Sequence, residues 1–203
     1  MAPFTTGNFA AMKPLLVVMG VSGSGKTTVG LALAAALGVP FRDADNLHPV
    51  ANVAKMAAGI ALTDDDRTPW LALVGAELAV AADGLVIACS ALKQAYRRAI
   101  LAAAPSVSFV FLDGSRELLE SRVQFRCGHF MPASLLDSQL DTLEPLAPEE
   151  PGVRVSLDEY PTVASIVASI VAAIVAPLIV APLVKAALVE HPAVTSPLLR
   201  GPE

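Results

Sequence analysis

Eight residues near the start of the chain restrict what it can fold into. Gly20-Val21-Ser22-Gly23-Ser24-Gly25-Lys26-Thr27 fills the pattern GxxxxGK[ST] without a mismatch. The apolar run Pro14 to Met19 precedes it, and Thr27 to Leu37 follows as an expected helix closed by Gly38. The glycines let the backbone curl until successive N–H groups point inward at a phosphate, and the helix adds its positive end. Lys26 has the reach to offset charge on the β- and γ-phosphates, and the Thr27 hydroxyl suits Mg²⁺. Residues Gly20 through Thr28 are therefore the expected nucleotide site, with ATP and Mg²⁺ as the implied cofactors.

Beyond the loop, short apolar runs alternate with helical patterns. Strands are expected at Val39–Phe41, Leu85–Cys89, Val107–Leu112 and Val153–Leu157. Helices are expected at Ala51–Ala58, from Thr68-Pro69 to about Ala82, at Lys93–Ala103, Glu117–Phe125 and Thr162 to about Ala176. That order predicts an α/β fold, a parallel sheet with helices on both faces. Residues 43–67 and 126–150 read as irregular, and such insertions at strand ends form ligand sites and lids.

The 203 residues suit one domain, placed at 14–176 between an N-terminal extension, 1–13, and an apolar tail, 177–203. The net charge of -5 argues against a nucleic-acid surface. Cys89 and Cys127 form no CxxC pattern, which points to reduced thiols in a cytoplasmic protein rather than a disulfide framework or zinc site. Pro161 to Val184 carries no charge, but Pro177, Pro182, Ser165 and Ser169 interrupt it and argue against a membrane span.

No NKxD guanine-reading motif is present, and Cys89-Ser90 stands where many ATPases place an acid after a strand. The carboxylates follow the second strand instead, at Asp43 and Asp45, and alternate residues on an extended segment face one side. This spacing resembles shikimate kinase, where paired acids serve magnesium and the acceptor hydroxyl. It implies Asp43 in the magnesium shell and Asp45 at the acceptor. Lys93 and Arg97 lie four apart at a helix start, as do Arg122 and Arg126 before Cys127-Gly128-His129-Phe130.

The match then becomes more specific. MGVSGSGKTT, DADNLHP, LTDDDRTPWL, CSALKQAYR, FRCGHFMP and LLDSQLDTLEP follow one another between Met19 and Pro145. In order and spacing they resemble the gluconate kinase family, small P-loop kinases with a nucleoside-monophosphate-kinase-like fold. The resemblance implies transfer from ATP to gluconate, giving 6-phosphogluconate. It implies Lys26, Asp45 and Arg126 in catalysis, and Arg122 and Arg126 as lid arginines over the phosphates. It implies Arg67 on the substrate carboxylate, with His48, Lys93, Arg97 and His129 as further substrate contacts. It also suggests a homodimer. Ala44 departs from the glycine usual between the paired acids, which matters if that position needs a positive φ. The competing readings are a P-loop kinase for another small acceptor, such as shikimate or adenylyl sulfate, and a nucleotide-binding regulator without turnover.

Overall fold

Alternate residues of β1 (Leu15–Met19) face two different cores. Leu16 and Val18 enter one, Val17 and Met19 the other, and all four are fully buried. A strand covered on both faces reads as an unbroken apolar run, which is why this segment lacks polar alternation. β3 (Leu85–Ala88) and β4 (Ser108–Asp113) are built the same way. The edge strands β2 (Phe41–Asp43) and β5 (Gly152–Ser156) are more exposed. The order is β2-β3-β1-β4-β5 and every pairing is parallel. This computed structural model describes residues 14–124 and 133–175.

On one face, α1 (Lys26–Leu37) and α7 (Val163–Ile170) bury Val29, Leu33, Ile166 and Ile170 against the sheet. On the other, α3 (Asp64–Ala79) and α4 (Gln94–Ala103) bury Trp70, Leu71, Val74, Leu78 and Ile100. Full burial of a side chain such as Leu33 or Leu78 contributes about 1.5–3 kcal/mol over leaving it exposed. α5 (Arg116–Gln124) and α6 (Ala133–Thr142) join the first core through Leu119 and Leu136. α2 (Val50–Ala57) is short, with Asn52 buried. The chain leaves β1 for the far edge, returns through β3, then crosses to β4 on the opposite side. That reversal opens a crevice at the carboxyl ends of the strands, where the loops after β1, β2 and β3 emerge.

The α/β architecture expected from the sequence is the one observed, but several boundaries move. β2 begins at Phe41 rather than Val39, because the Gly38 and Val39 N–H groups close α1 on Ala35 and Ala34. α3 starts at Asp64 rather than near Thr68. Thr63 and Asp66 form a reciprocal capping box, and Asp64, Asp65 and Asp66 fill the first turn where the helix dipole favours acids. Pro69 is consequently inside the helix rather than at its start. α2 falls where a helix was expected at Ala51–Ala58, but the segments read as irregular also hold the first turn of α3 and all of α6. No helix among the described residues is long and apolar enough to cross a membrane. The extension 1–13 and the tail 177–203 lie outside the described residues.

Candidate active site

The phosphate loop joins β1 to α1. Gly20 has φ 141, and a Cβ there would meet the Leu112 carbonyl oxygen at 2.7 Å and Ser24 Oγ at 2.9 Å. Backbone angle and space both exclude a side chain. Gly25, with φ 88, is the N-cap of α1 and has open surroundings, so there the angle alone demands glycine. Lys26 Nζ donates to the Val21 carbonyl at 3.1 Å, which keeps the ammonium over the loop.

Thr27 Oγ1 donates to Asp43 Oδ2 at 3.1 Å, linking the start of α1 to the end of β2. The other oxygen, Asp43 Oδ1, accepts the Asp45 N–H at 3.1 Å and holds the turn after the strand. Between them Ala44 is fully buried, and its carbonyl accepts the Trp70 indole N–H at 2.7 Å. Outside glycine, Ala91 alone among the described residues has a positive φ, so Ala44 fits its turn without strain. One cleft of ≈ 270 Å³ is lined by Lys26, Thr27, Asp43, Asp45, Arg122 and Gln139. Thr28 also borders it. A larger groove of ≈ 760 Å³ between α1 and α7 is lined only by Ala and Val, so it offers nothing to bind an anion.

Cys89 also lines the cleft, at the end of β3. Burial pushes its thiol up to about 12, so it stays neutral. The acid beside Thr27 is therefore the one supplied by β2. Among the described residues no group of three or more His, Cys, Asp or Glu comes together as a metal site.

A second constellation lies where α3 meets α4. The Asp64 carboxylate accepts from Lys93 Nζ at 2.8 and 3.1 Å and from the Tyr96 hydroxyl at 2.5 Å. Arg67 Nη1 is 3.7 Å from the same carboxylate and donates to the Leu62 carbonyl at 2.7 Å. Hydrogen bonds from Lys93 and then Tyr96 hold the Asp64 carboxyl below its ordinary range. The Arg67 guanidinium and the Lys93 ammonium lie 5.8 and 5.5 Å from the centre of the Tyr96 ring. His48 stacks on Trp70, with ring centres 4.2 Å apart and planes at 15°. Burial lowers the His48 pKa, nearby Asp45 opposes the shift and Arg67 reinforces it. Trp70, which carries His48 on its ring and donates to the Ala44 carbonyl between the two acids, links α3 to the cleft.

Similarity to known proteins points the same way. The shikimate kinase family model matches residues 22–132. A gluconokinase from Gluconobacter oxydans is 52% identical over 156 residues, which is 75% of this chain and 88% of that one. The thermosensitive gluconokinase of Escherichia coli is 44% identical, covering 70% and 78% respectively. The crystal structure of a gluconokinase from Sinorhizobium meliloti superposes with a TM-score of 0.73 at 45% identity, covering 89% of this chain and 99% of that one. The chain belongs to the gluconokinase family.

Membership does not carry every expected contact into the cleft of this gluconokinase-family chain. Arg97 is fully buried, and its guanidinium is committed to the protein. Nε and Nη2 grip Glu150 at 2.6 and 2.7 Å, while Nη1 donates to the carbonyls of Ala91, Leu92 and Glu144. Nη2 also reaches the Pro145 carbonyl at 3.3 Å. The i, i+4 spacing from Lys93 misleads because Lys93 is the N-cap of α4, with extended φ −95 and ψ 147. It does not share a helix face with Arg97. Arg97 is a structural clasp between α4 and the segment after α6, not a substrate contact.

Tyr96 and Gln139 were not singled out in the sequence. Tyr96 stands in the CSALKQAYR stretch and Gln139 in the LLDSQLDTLEP stretch, neither with a charge to mark it. Arg126, Cys127 and His129 lie outside the described residues.

Proposed function

We propose that this protein transfers the γ-phosphoryl group of ATP to the primary hydroxyl of D-gluconate, giving ADP and 6-phosphogluconate. The observation that carries the reading is the single cleft that joins Lys26 and Thr27 of a complete phosphate loop to Asp43 and Asp45. It stands in a chain whose relatives over most of its length are gluconokinases.

In this reading the loop N–H groups and Lys26 grip the β- and γ-phosphates, and Arg122 meets them from α5. Thr27 Oγ1 and Asp43 Oδ2 are hard oxygen donors, and that chemistry fits Mg²⁺. When bound, the ion would neutralise charge on the phosphates. Asp45 accepts the hydrogen bond of the acceptor hydroxyl and aligns its oxygen on the γ-phosphorus. The new O–P bond forms as the bond to the β,γ-bridging oxygen breaks, ADP leaves, and the hydroxyl proton passes to Asp45. Transfer through a loose transition state needs alignment more than a strong base, so a well-positioned carboxylate suffices.

Arg67 and Lys93 hold the gluconate carboxylate at the remote end, assisted by the Tyr96 hydroxyl and with His48 bordering the acceptor. Arg126 and His129 belong to the lid in the same reading. The kinase unit is residues 14–176, so a chain ending at 177 keeps its fold and activity. Fractionation and sedimentation test the cytoplasmic location and homodimer that go with this assignment.

The shikimate kinase match favours one second reading, a different hydroxyl acceptor that also bears a carboxylate. A panel of gluconate, shikimate and adenylyl sulfate, followed by ADP release, separates them. Gluconate-dependent release supports the proposal, and release with another acceptor alone refutes it.

A further inference from the structure

Ser22 lies inside the phosphate loop, yet its backbone N–H donates to a side chain 117 residues away, the Gln139 amide oxygen, at 2.6 Å. Gln139 belongs to α6, which is anchored by buried Leu136 and by the Arg116–Asp137 ion pair to α5. Arg122, on α5, lines the same cleft. Both helices that flank residues 125–132 therefore bring a polar side chain to the phosphate loop. A loop N–H suited to a phosphate oxygen is held here by a neutral amide oxygen.

We propose that Gln139 is an exchangeable latch for the phosphate loop. Its Oε1 accepts the Ser22 N–H until a nucleotide phosphate takes that donor, and its Nε2 then donates to the phosphate chain. The exchange ties α6 to a filled loop. This inference rests on the reading of the cleft as the ATP phosphate site.

An amide suits both halves of this exchange. It carries one acceptor and two donors on a planar group, and rotation about its last torsion swaps which end faces the loop. A carboxylate of the same shape can only accept, and it would repel the phosphates. A thioether of similar length does neither well. While Gln139 holds the Ser22 N–H it competes with the phosphate. Once released, it contributes a hydrogen bond to the transferring group. The latch therefore opposes nucleotide binding slightly while assisting transfer.

The test compares wild type with Gln139→Glu and Gln139→Met. The readouts are calorimetric affinity for a nonhydrolysable ATP analogue, steady-state constants for ATP and gluconate, and melting temperature. Gln139→Glu is expected to weaken analogue binding by about ten-fold or more, with the gluconate KM changed less than about two-fold. Gln139→Met is expected to keep analogue binding within about three-fold of wild type, because competitor and donor are lost together. Its kcat should fall by about ten-fold. In ¹⁵N NMR of the wild type, the Ser22 amide and the Gln139 side-chain NH₂ should both shift on adding the analogue. Unchanged analogue binding by Gln139→Glu overturns the proposal. So does a parallel rise of both KM values in Gln139→Met with a lowered melting temperature, which marks a packing residue. Wild type that binds no analogue would instead refute the reading of the cleft itself.

Discussion

Replacing Arg97 by methionine removes the charge that neutralises a buried carboxylate. Arg97 is fully buried and the Glu150 side chain is only 6% exposed. Breaking such a pair by deleting one partner costs about 3–5 kcal/mol, because the remaining charge is left without compensation. For a domain of this size each kcal/mol moves the melting point by roughly 2–4 °C, so the expected loss is roughly 6–20 °C. The deficit should shrink as pH falls and the orphaned Glu150 can be protonated.

Adding Glu150→Leu should recover the part due to the stranded carboxylate. A residue of roughly 1–3 kcal/mol should persist, since the carbonyls of Ala91, Leu92, Glu144 and Pro145 still lack their donor. The assay is urea and thermal denaturation of wild type, both single mutants and the double mutant. The gluconate KM is then measured well below every melting point, and it should stay near wild type in Arg97→Met. A mutant that melts normally but has a gluconate KM raised ten-fold would refute the placement of Arg97 in the core.

Three further outcomes follow from the same geometry. Lys26→Ala should fold normally yet lose kcat by on the order of 10²–10³, read in an ADP-release assay; near-normal turnover would remove the phosphate-loop mechanism. Arg67→Ala should lose about 2–4 kcal/mol in kcat/KM for gluconate with little change in the KM for ATP, and Arg67→Lys should recover only part, as kinetics with each substrate varied would reveal. Asp66 is held down to about 2 by Lys55 and then by Thr63. Because its folded pKa lies below the unfolded value, its contribution is present above about pH 4 and lost as pH falls toward 2. The urea midpoints of wild type and Asp66→Asn should therefore converge as pH falls from about 4 to about 2, and a constant gap would contradict the capping role.

Sequence alone was enough to foresee what depends on short-range patterns. The phosphate loop and the doubly buried strands each have a local signature and stand where it pointed, whereas of the paired acids Asp43 closes β2 and Asp45 sits in the 3-10 turn Ala44–Leu47, not on an extended segment. Contacts fixed by tertiary packing were harder to read. Arg97 looked like a pocket residue because a buried arginine and a solvated one share the same letter. Only the fold brings Glu150, 53 residues away, to meet it. The true start of α3 was hidden because Thr68-Pro69 is also a plausible helix start. The capping box at Thr63 and Asp66 prevailed because it satisfies donors at both ends of the first turn. Gln139 stands in the LLDSQLDTLEP stretch, but that stretch does not say which of its residues reaches the phosphate loop, so its approach to Ser22 emerges only from the packing of α6.

The most direct test of the proposed activity is the position of the new phosphate bond. Purified protein is incubated with ATP, Mg²⁺ and uniformly ¹³C-labelled gluconate, and the product is examined by ¹³C and ³¹P NMR. One molecule of ADP should appear per molecule of gluconate consumed, with phosphorus coupled to C6 and the carboxyl carbon unmodified. Phosphorus at another carbon would contradict the placement of the carboxylate on Arg67 and the primary hydroxyl on Asp45. No gluconate-dependent ADP, from protein that binds ATP, would contradict the assignment of gluconate itself.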